Sequence, residues 1–426
     1  MSDVVQVSND LIDGVEGVER RNPFHPRGEL DEVADGVAFV DSFANVAAFT
    51  TDEGLLLVDT GSLFAARQVH EKVRGWTDQL LHTAVYTHGH VDHVFGTAAF
   101  EQENEQRGAP GVRVVGHELV DPRFDRYVRT AGYNEKVNQR QFQSEDLRWP
   151  VEYRHPNVTY RDHLELEVGG VRAELHHARG ETDDHTWTWF PDLRVVCTGD
   201  LVMWCSPNAG NPQKVQRYAL EWAEALRAMA ALQPELLLPG HGMPVSGAHR
   251  VQSVLLDTAV LLESLHDQTL ELMNEGATLD QVLHAVRAPA DLLDRPYLQP
   301  IYDEPEFVVR NVWRLYGGWY DGNPARLKPA PDASLAAEVV ALAGGVQPLL
   351  DRARALLDGD DPEQDLRLAG HLVEMAAQAE PDDAGAQRVR AEVNEARKGH
   401  ERSLMARGIY SWAAHESRQR LDELEG

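Results

Sequence analysis

The sequence predicts a layered α/β domain followed by an all-α domain, and three observations predict it. Short apolar runs recur at hairpin spacing from Val37 to Leu238, helical spacing replaces them after residue 250, and Ser, Asp and Gly mark the joints. The chain has 426 residues, 42% of them apolar, which is enough for two or three buried cores. Residues 1–33 are polar and acidic, with turn formers at Asn22-Pro23-Phe24-His25-Pro26, and read as an N-terminal arm. VAFVD, NVAAFTT and LLLVDTG then read as strands, Phe64–Trp76 as a helix, and Ala84–Tyr86 as a short buried strand running into His88. LELEVGGVRAELHHA reads as a hairpin turning at Gly169-Gly170. Together these place a layered domain at 34–250. Beyond it, Val251, Val254, Leu255, Leu261, Leu262, Leu265 and Leu272 keep helical spacing, as do Val346, Leu349, Leu350, Ala353, Leu356 and Leu357. Residues 251–426 therefore read as α-helical, interrupted by a stretch rich in Pro and aromatics from Pro289 to Pro331.

Charge narrows the function classes. Forty Lys and Arg against 69 Asp and Glu leave a net charge of −29. This argues against nucleic acid or an anionic membrane surface as partner, and an anionic substrate would need a local positive centre such as a bound metal. Two cysteines, Cys197 and Cys205, cannot build a disulfide framework and fit a reducing compartment. The N-terminus lacks a basic start followed by an apolar stretch, and no window approaches the ~18 apolar residues of a membrane span. A soluble, cytoplasmic protein is expected.

The strongest chemical signal is Thr87-His88-Gly89-His90-Val91-Asp92-His93, directly after an apolar strand. Imidazole nitrogens and a carboxylate at a strand-to-helix junction are what divalent metals accept. A polar loop with incidental histidines would explain one His-x-His, but not this whole run after a strand.

These residues resemble the metallo-β-lactamase superfamily, an αββα sandwich whose strand-end loops hold one or two metals. The resemblance implies that His88 and His90 bind one metal, and that Asp92 and His93 serve a second. Asp59, in LLLVDTG, looks like the family's buried Asp that supports the metal loop. Thr198-Gly199-Asp200 offers Asp200 as a bridging carboxylate, and Pro239-Gly240-His241-Gly242 offers His241 to the second metal. Where the superfamily usually has Gly-His-Thr, this chain reads Gly180-Glu181-Thr182-Asp183-Asp184-His185. Glu181 then becomes the third ligand of the first metal, with His185 behind it or exchanging roles with it. Of His176 and His177, one is expected to be exposed and the other structural.

A glutamate at this position resembles the alkyl sulfatase branch. Met273–Gly276, Leu292–Pro300, Tyr316-Gly317-Gly318-Trp319-Tyr320-Asp321-Gly322-Asn323-Pro324, Gly344–Leu372 and Arg402–Arg418 look like that branch's helical dimerisation domain. A homodimer is therefore expected, and no counterpart of the branch's sterol-carrier-like C-terminal domain. The branch's sulfate-binding arginine is replaced by Gln213 or Lys214, while Asn208 and Arg217 stay in register.

The implied function is hydrolysis of an alkyl sulfate or related ester by a hydroxide bridging two divalent ions. Zinc leads, and the extra carboxylate admits iron or manganese. Asp92, Asn208, Lys214 and Arg217 are the catalytic candidates. Asn211, Tyr133, Asn134 and Asn138 are polar candidates for substrate contact, and Trp319, Tyr320 and Asn323 could supply a substrate wall. Hydrolysis of a lactone, carboxylic ester or phosphate ester would suit the same centre, as would di-iron redox chemistry.

Overall fold

The computed structural model describes residues 3–426. Two sheets carry the first half. In one, β1 (Leu30–Ala34), β2 (Val37–Val40), β3 (Val46–Thr51), β4 (Gly54–Val58), β5 (Leu81–Val85), β6 (Arg113–His117) and β7 (Val158–Tyr160) lie in sequence order. β1 to β4 pair antiparallel and β4 to β7 parallel. In the other, β8 (His163–Val168), β9 (Val171–His177), β10 (Thr186–Phe190), β11 (Val195–Gly199), β12 (Leu236–Pro239) and β13 (Val245–Ser246) lie in reverse order. There β11 and β12 run parallel and the remaining pairs antiparallel.

The expected αββα layering follows from how the strands bury both faces. Phe39, Phe49, Leu56 and Val58 face the second sheet and meet Leu166, Leu175, Phe190 and Cys197. Phe49 stacks on Phe190 with ring centroids 4.0 Å apart. The intervening residues Ala38, Ala48, Leu55 and Leu57 face the other way, onto helices Ala66–Trp76, Thr97–Gln106 and Val120–Arg129. A strand buried on both sides reads as a continuous apolar run, which is why VAFV and LLLV show no alternation.

The compact units do not divide at residue 250. One runs to Ala131 and resumes over Pro150–Gly318, and the other joins Gly132–Trp149 to Trp319–Gly426. Val251, Val254, Leu255, Leu261, Leu262 and Leu265 belong to helix Ala248–Asn274, and their stripe packs with Trp222, Leu226 and Met229 of helix Ala219–Ala231. Helical periodicity reports that a face is buried without saying against what. The arm at 1–33 needs a similar correction. Its residues Asp3–Ile12 form a helix that buries Val4 and Val5 in the same cluster, and Asn9 accepts a hydrogen bond from the Ser246 amide. Ten residues make a marginal helix alone, so tertiary packing of the Val4–Leu11 face decides it.

The second unit is helical apart from its turns. Helices Gln347–Leu357, Pro362–Ala379 and Ala384–His400 share a core of Leu350, Ala353, Leu356, Val373, Val389 and Val393. Asp361, Asp383 and Ser403 each accept a hydrogen bond from a backbone amide of the first turn they precede, as N-caps do. Among the described residues, no single helix is long and apolar enough to cross a membrane.

Candidate metal centre

The centre is assembled where strands stop. β4 and β5 run parallel with Val58 opposite Val85, so the chain leaves both strands side by side, at Asp59 and at Thr87-His88. β11 and β12 do the same in the other sheet, releasing Asp200 and His241. Glu181 comes from the loop between β9 and β10.

Seven side chains meet there in two overlapping groups. In the first, His88 Nε2 lies 2.8 Å from His90 Nδ1 and 3.6 Å from Glu181 Oε2, which is itself 3.2 Å from His90 Nδ1. The second holds His93 and His241, whose Nε2 atoms lie 3.7 and 3.6 Å from Asp92 Oδ2. Asp200 belongs to both. Its Oδ2 is 3.8 Å from His88 Nε2, while its Oδ1 is 3.3 Å from His93 Nε2 and 3.4 Å from His241 Nε2. His88, His93, Glu181, Asp200 and His241 are buried, and His90 and Asp92 half-buried.

The outward atoms of this set are held by the protein, and three of the inward ones are not. Asp59 accepts from the Thr87 amide and hydroxyl, each at 2.8 Å, and its Oδ2 lies 2.7 Å from His93 Nδ1. These bonds support a left-handed backbone at Asp59, φ 60°, that a non-glycine residue seldom adopts. His241 Nδ1 meets the Phe43 carbonyl, and His88 Nδ1 meets the Thr87 hydroxyl at 3.0 Å. Such partners orient imidazoles for metal binding. By contrast His93 Nε2, Glu181 Oε2 and Asp200 Oδ1 are buried with no hydrogen-bond partner. An orphaned buried polar atom costs about 1–3 kcal/mol. Divalent cations between the two groups would satisfy all three, and the mixed imidazole and carboxylate donors suit them.

Glycine is required at Gly199, where φ is 49° and a Cβ would come within 2.8 Å of the His185 ring. His185 Nε2 accepts from the Asp200 amide at 3.1 Å, so that nitrogen is already engaged in aiming Asp200. Burial pulls the His185 pKa down to about 4, which keeps the accepting ring neutral. For Asp200 burial works against ionisation, but His241 and His93 hold its carboxyl well below the usual range.

The predicted anion-binding residues divide. Asn208 and Arg217 are buried and spent on Glu181: Asn208 Nδ2 donates to Oε1, and Arg217 donates to the Glu181 carbonyl with its guanidinium 3.3 Å from Oε1. Both were expected to offer donors to substrate. Here each engages Glu181 with one donor group, and Arg217 Nε is buried with no hydrogen-bond partner. Asn211 donates to Asn208 Oδ1 at 3.3 Å, extending the same chain of bonds. Lys214 is half-buried on this loop, and burial beside Arg217 lowers its pKa to about 8. Tyr133, Asn134, Trp319 and Tyr320 lie in the second unit, with Tyr133 63% and Trp319 72% exposed. Asn134 is buried there, and Asn138 bonds its carbonyl. Asn323 caps a short helix through the Ala325 amide. His176 and His177 are both half-buried, His176 against Trp187 and His177 against His117.

Other residues of the site carried no motif. Arg123 is buried and pairs with Asp183 and Asp184, and Asp184 Oδ2 accepts from the Gly89 amide at 2.9 Å between His88 and His90. Asp303 Oδ2 accepts from the amides of Gly210 and Asn211, at 2.6 and 3.0 Å, and pins the Asn208–Lys214 loop. Phe24, Phe43 and Tyr302 flank His241: Phe24 stacks on Tyr302 at 4.5 Å, and Phe24 and Phe43 lie 5.4 and 5.5 Å from the imidazole. The Asp183-Asp184 doublet beside the metal loop was the one available signal.

Comparison with known proteins places this geometry. The metallo-beta-lactamase superfamily matches residues 40–241, and the alkyl sulfatase dimerisation family matches residues 278–420. A linear primary-alkylsulfatase of Pseudomonas sp. is 31% identical over 366 residues, which cover 80% of this chain and 67% of that protein. The chain belongs to the alkylsulfatase branch of the metallo-beta-lactamase superfamily. An (R)-specific secondary-alkylsulfatase of Pseudomonas sp. is 26% identical, covering 88% of this chain and 60% of that protein. The solved structure of a stereoselective inverting sec-alkylsulfatase from Pseudomonas sp. shares the fold, with a TM-score of 0.81 at 24% identity. It covers 92% of this chain and 66% of that one. This alkylsulfatase-branch chain thus spans about two thirds or less of the length of these relatives.

The Arg123 cluster can be tested by stability. Arg123→Met leaves Asp184 buried without its cation, and the expected loss is about 3–5 kcal/mol in urea unfolding. A loss below about 1 kcal/mol would show that the pair does not hold the metal loop.

Proposed function

We propose that the protein is a dinuclear metal-dependent hydrolase of alkyl sulfates or closely related esters, acting as a homodimer. The single observation that carries the dinuclear reading is Asp200, whose two oxygens face different histidine groups. His88, His90, Glu181 and Asp200 would hold one divalent ion, and Asp92, His93, His241 and Asp200 the other, zinc foremost and iron or manganese as alternatives. Bound there, the ions supply a hydroxide near neutral pH and Lewis acidity toward the ester.

The remaining work falls to the chain's own side chains. The net charge of −29 repels a sulfate ester, so binding needs a local cation, and Lys214 supplies it beside Glu181 and Asp92. Asn208 and Arg217 keep Glu181 Oε2 turned inward by occupying Oε1. Asp92 is the more exposed carboxylate of the centre and is placed to pass a proton to solvent. Phe24, Phe43 and Tyr302 form an aromatic wall suited to an alkyl chain, and cover by them excludes water from the reacting ester. Water is consumed, and an alcohol and hydrogen sulfate leave. Two buried unpaired cysteines support a cytoplasmic site of action.

Assembly is read from the second unit. Leu335 and Leu342, two turns apart on helix Asp332–Ala343, are 54% and 88% exposed, and Leu368 is 44% exposed. Exposed apolar residues at this spacing, in the region matching the dimerisation family, support a two-fold interface.

Three outcomes are expected. Purified protein should contain at least two divalent ions per chain by mass spectrometry. Asp200→Ala should lower that content by at least one ion per chain and lose turnover of a long-chain alkyl sulfate; unchanged content with normal rates overturns the dinuclear reading. kcat/KM should fall as pH rises through about 8, where the Lys214 ammonium loses its proton. Lys214→Met should remove that limb and lower kcat/KM on the order of 10–100-fold, and Lys214→Arg should carry the plateau to higher pH. Leu335→Glu with Leu342→Glu should turn a dimer into a monomer by light scattering while circular dichroism is unchanged.

A further inference from the structure

The hairpin of β8 and β9 carries a further group of ligating side chains, none of them among the seven of the centre. Leu164, Leu166 and Val168 pair with Leu175, Ala173 and Val171 and face the sandwich core. The alternate residues must face outward, and there His163 stands directly opposite His176, and Glu165 directly opposite Glu174. The two imidazole centroids are 4.6 Å apart, and Glu174 Oε2 lies 3.7 Å from His176 Nε2. One ligand atom from each of His163, Glu174 and His176 falls within 4.8 Å of the others.

We propose that His163, Glu174 and His176 form a third divalent-cation site, one that staples the edge strand β8 to β9, with Glu165 able to complete it. Three further observations support it. His176 is locked in place, its ring stacked on Trp187 at 4.1 Å and 13°, and its buried Nε2 has no hydrogen-bond partner. Glu165 opposite Glu174 is a like-charge cross-strand pair, which destabilises a hairpin unless a cation lies between. Arg172, the nearest cation on these strands, is turned away into a two-bond pair with Asp192, at 2.9 Å each. Burial and the neighbouring His163 also lower the His176 pKa, so the ring is a neutral ligand at pH 7. Two imidazoles with carboxylate suit zinc, nickel or copper, and open positions would be filled by water. A bridged edge strand is also shielded from pairing with another chain.

The test uses the intact protein, freed of metal and titrated with zinc. Unmodified protein should bind one ion more per chain than His163→Ala with His176→Gln, and the extra ion should raise Tm in the unmodified protein only. Both proteins should turn over substrate alike. With Asp200→Ala as background, the hairpin ion should persist, and its affinity should fall at least tenfold when His163→Ala is added. That background separates the site from the dinuclear centre, since loss of one leaves the other to be counted. Equal zinc counts in the unmodified and double-variant proteins, or binding seen only at millimolar zinc without a Tm shift, would overturn the proposal.

Discussion

Burial of five ionisable side chains at one rim of the sandwich, with two more half-buried beside them, is the constraint on which the rest of the structure depends. Removing a single charge from water costs several kcal/mol, and an unpaired buried polar atom costs about 1–3 kcal/mol more. The fold answers on the outer side of each group. Asp59 takes His93, the Phe43 carbonyl takes His241, and Asn208 with Arg217 takes Glu181. What stays unsatisfied is on the inner side, at His93 Nε2, Glu181 Oε2 and Asp200 Oδ1, where the ligating atoms of each group lie within 4.8 Å of one another. A set of donors oriented in this way is organised for cations before any cation arrives.

The same constraint explains the supporting cast. Asp184 reaches the Gly89 amide between two histidines, and Arg123 makes a buried Asp184 tolerable. Asp303 holds the loop that carries Asn208 and Lys214, and burial pushes its carboxyl up to about 6 even though the amides of Asn211, Gly210 and Glu304 stabilise the charged form. Gly199 makes room for His185, which aims Asp200 by accepting its amide proton. Each partner removes a freedom that a ligand would otherwise have, so the geometry of the centre is set by residues that never face it.

Much of this is legible in the sequence. The His-x-His-x-Asp-His run, Asp59 after LLLV, Asp200 and His241 each follow an apolar strand, and the strand ends do converge. Glu181 falls among the first group and His185 behind it, because the register of β9 and β10 places Glu181 in the loop and His185 next to the Asp200 amide. Other residues left no local trace. Arg123, Asp303 and Phe24 are separated from the centre by many residues of chain, and an isolated Arg, Asp or Phe looks the same whether it supports a site or covers a surface.

What the sequence by itself determined was the class of the layers, the side chains that gather at the strand ends and the helical nature of the second half. Those follow from periodicity and from side-chain chemistry, both local. Only the tertiary structure decided which face of helix Ala248–Asn274 meets which neighbour, that Asp3–Ile12 is a helix at all, and that Asn208 and Arg217 hold Glu181. It also decided that Trp319 and Tyr320 belong to the second unit while the seven side chains of the candidate centre belong to the first. The reason is physical: burial and hydrogen bonding are pairwise in space. A pattern along one segment states what that segment must hide or satisfy, and the partner is chosen when the chain closes on itself.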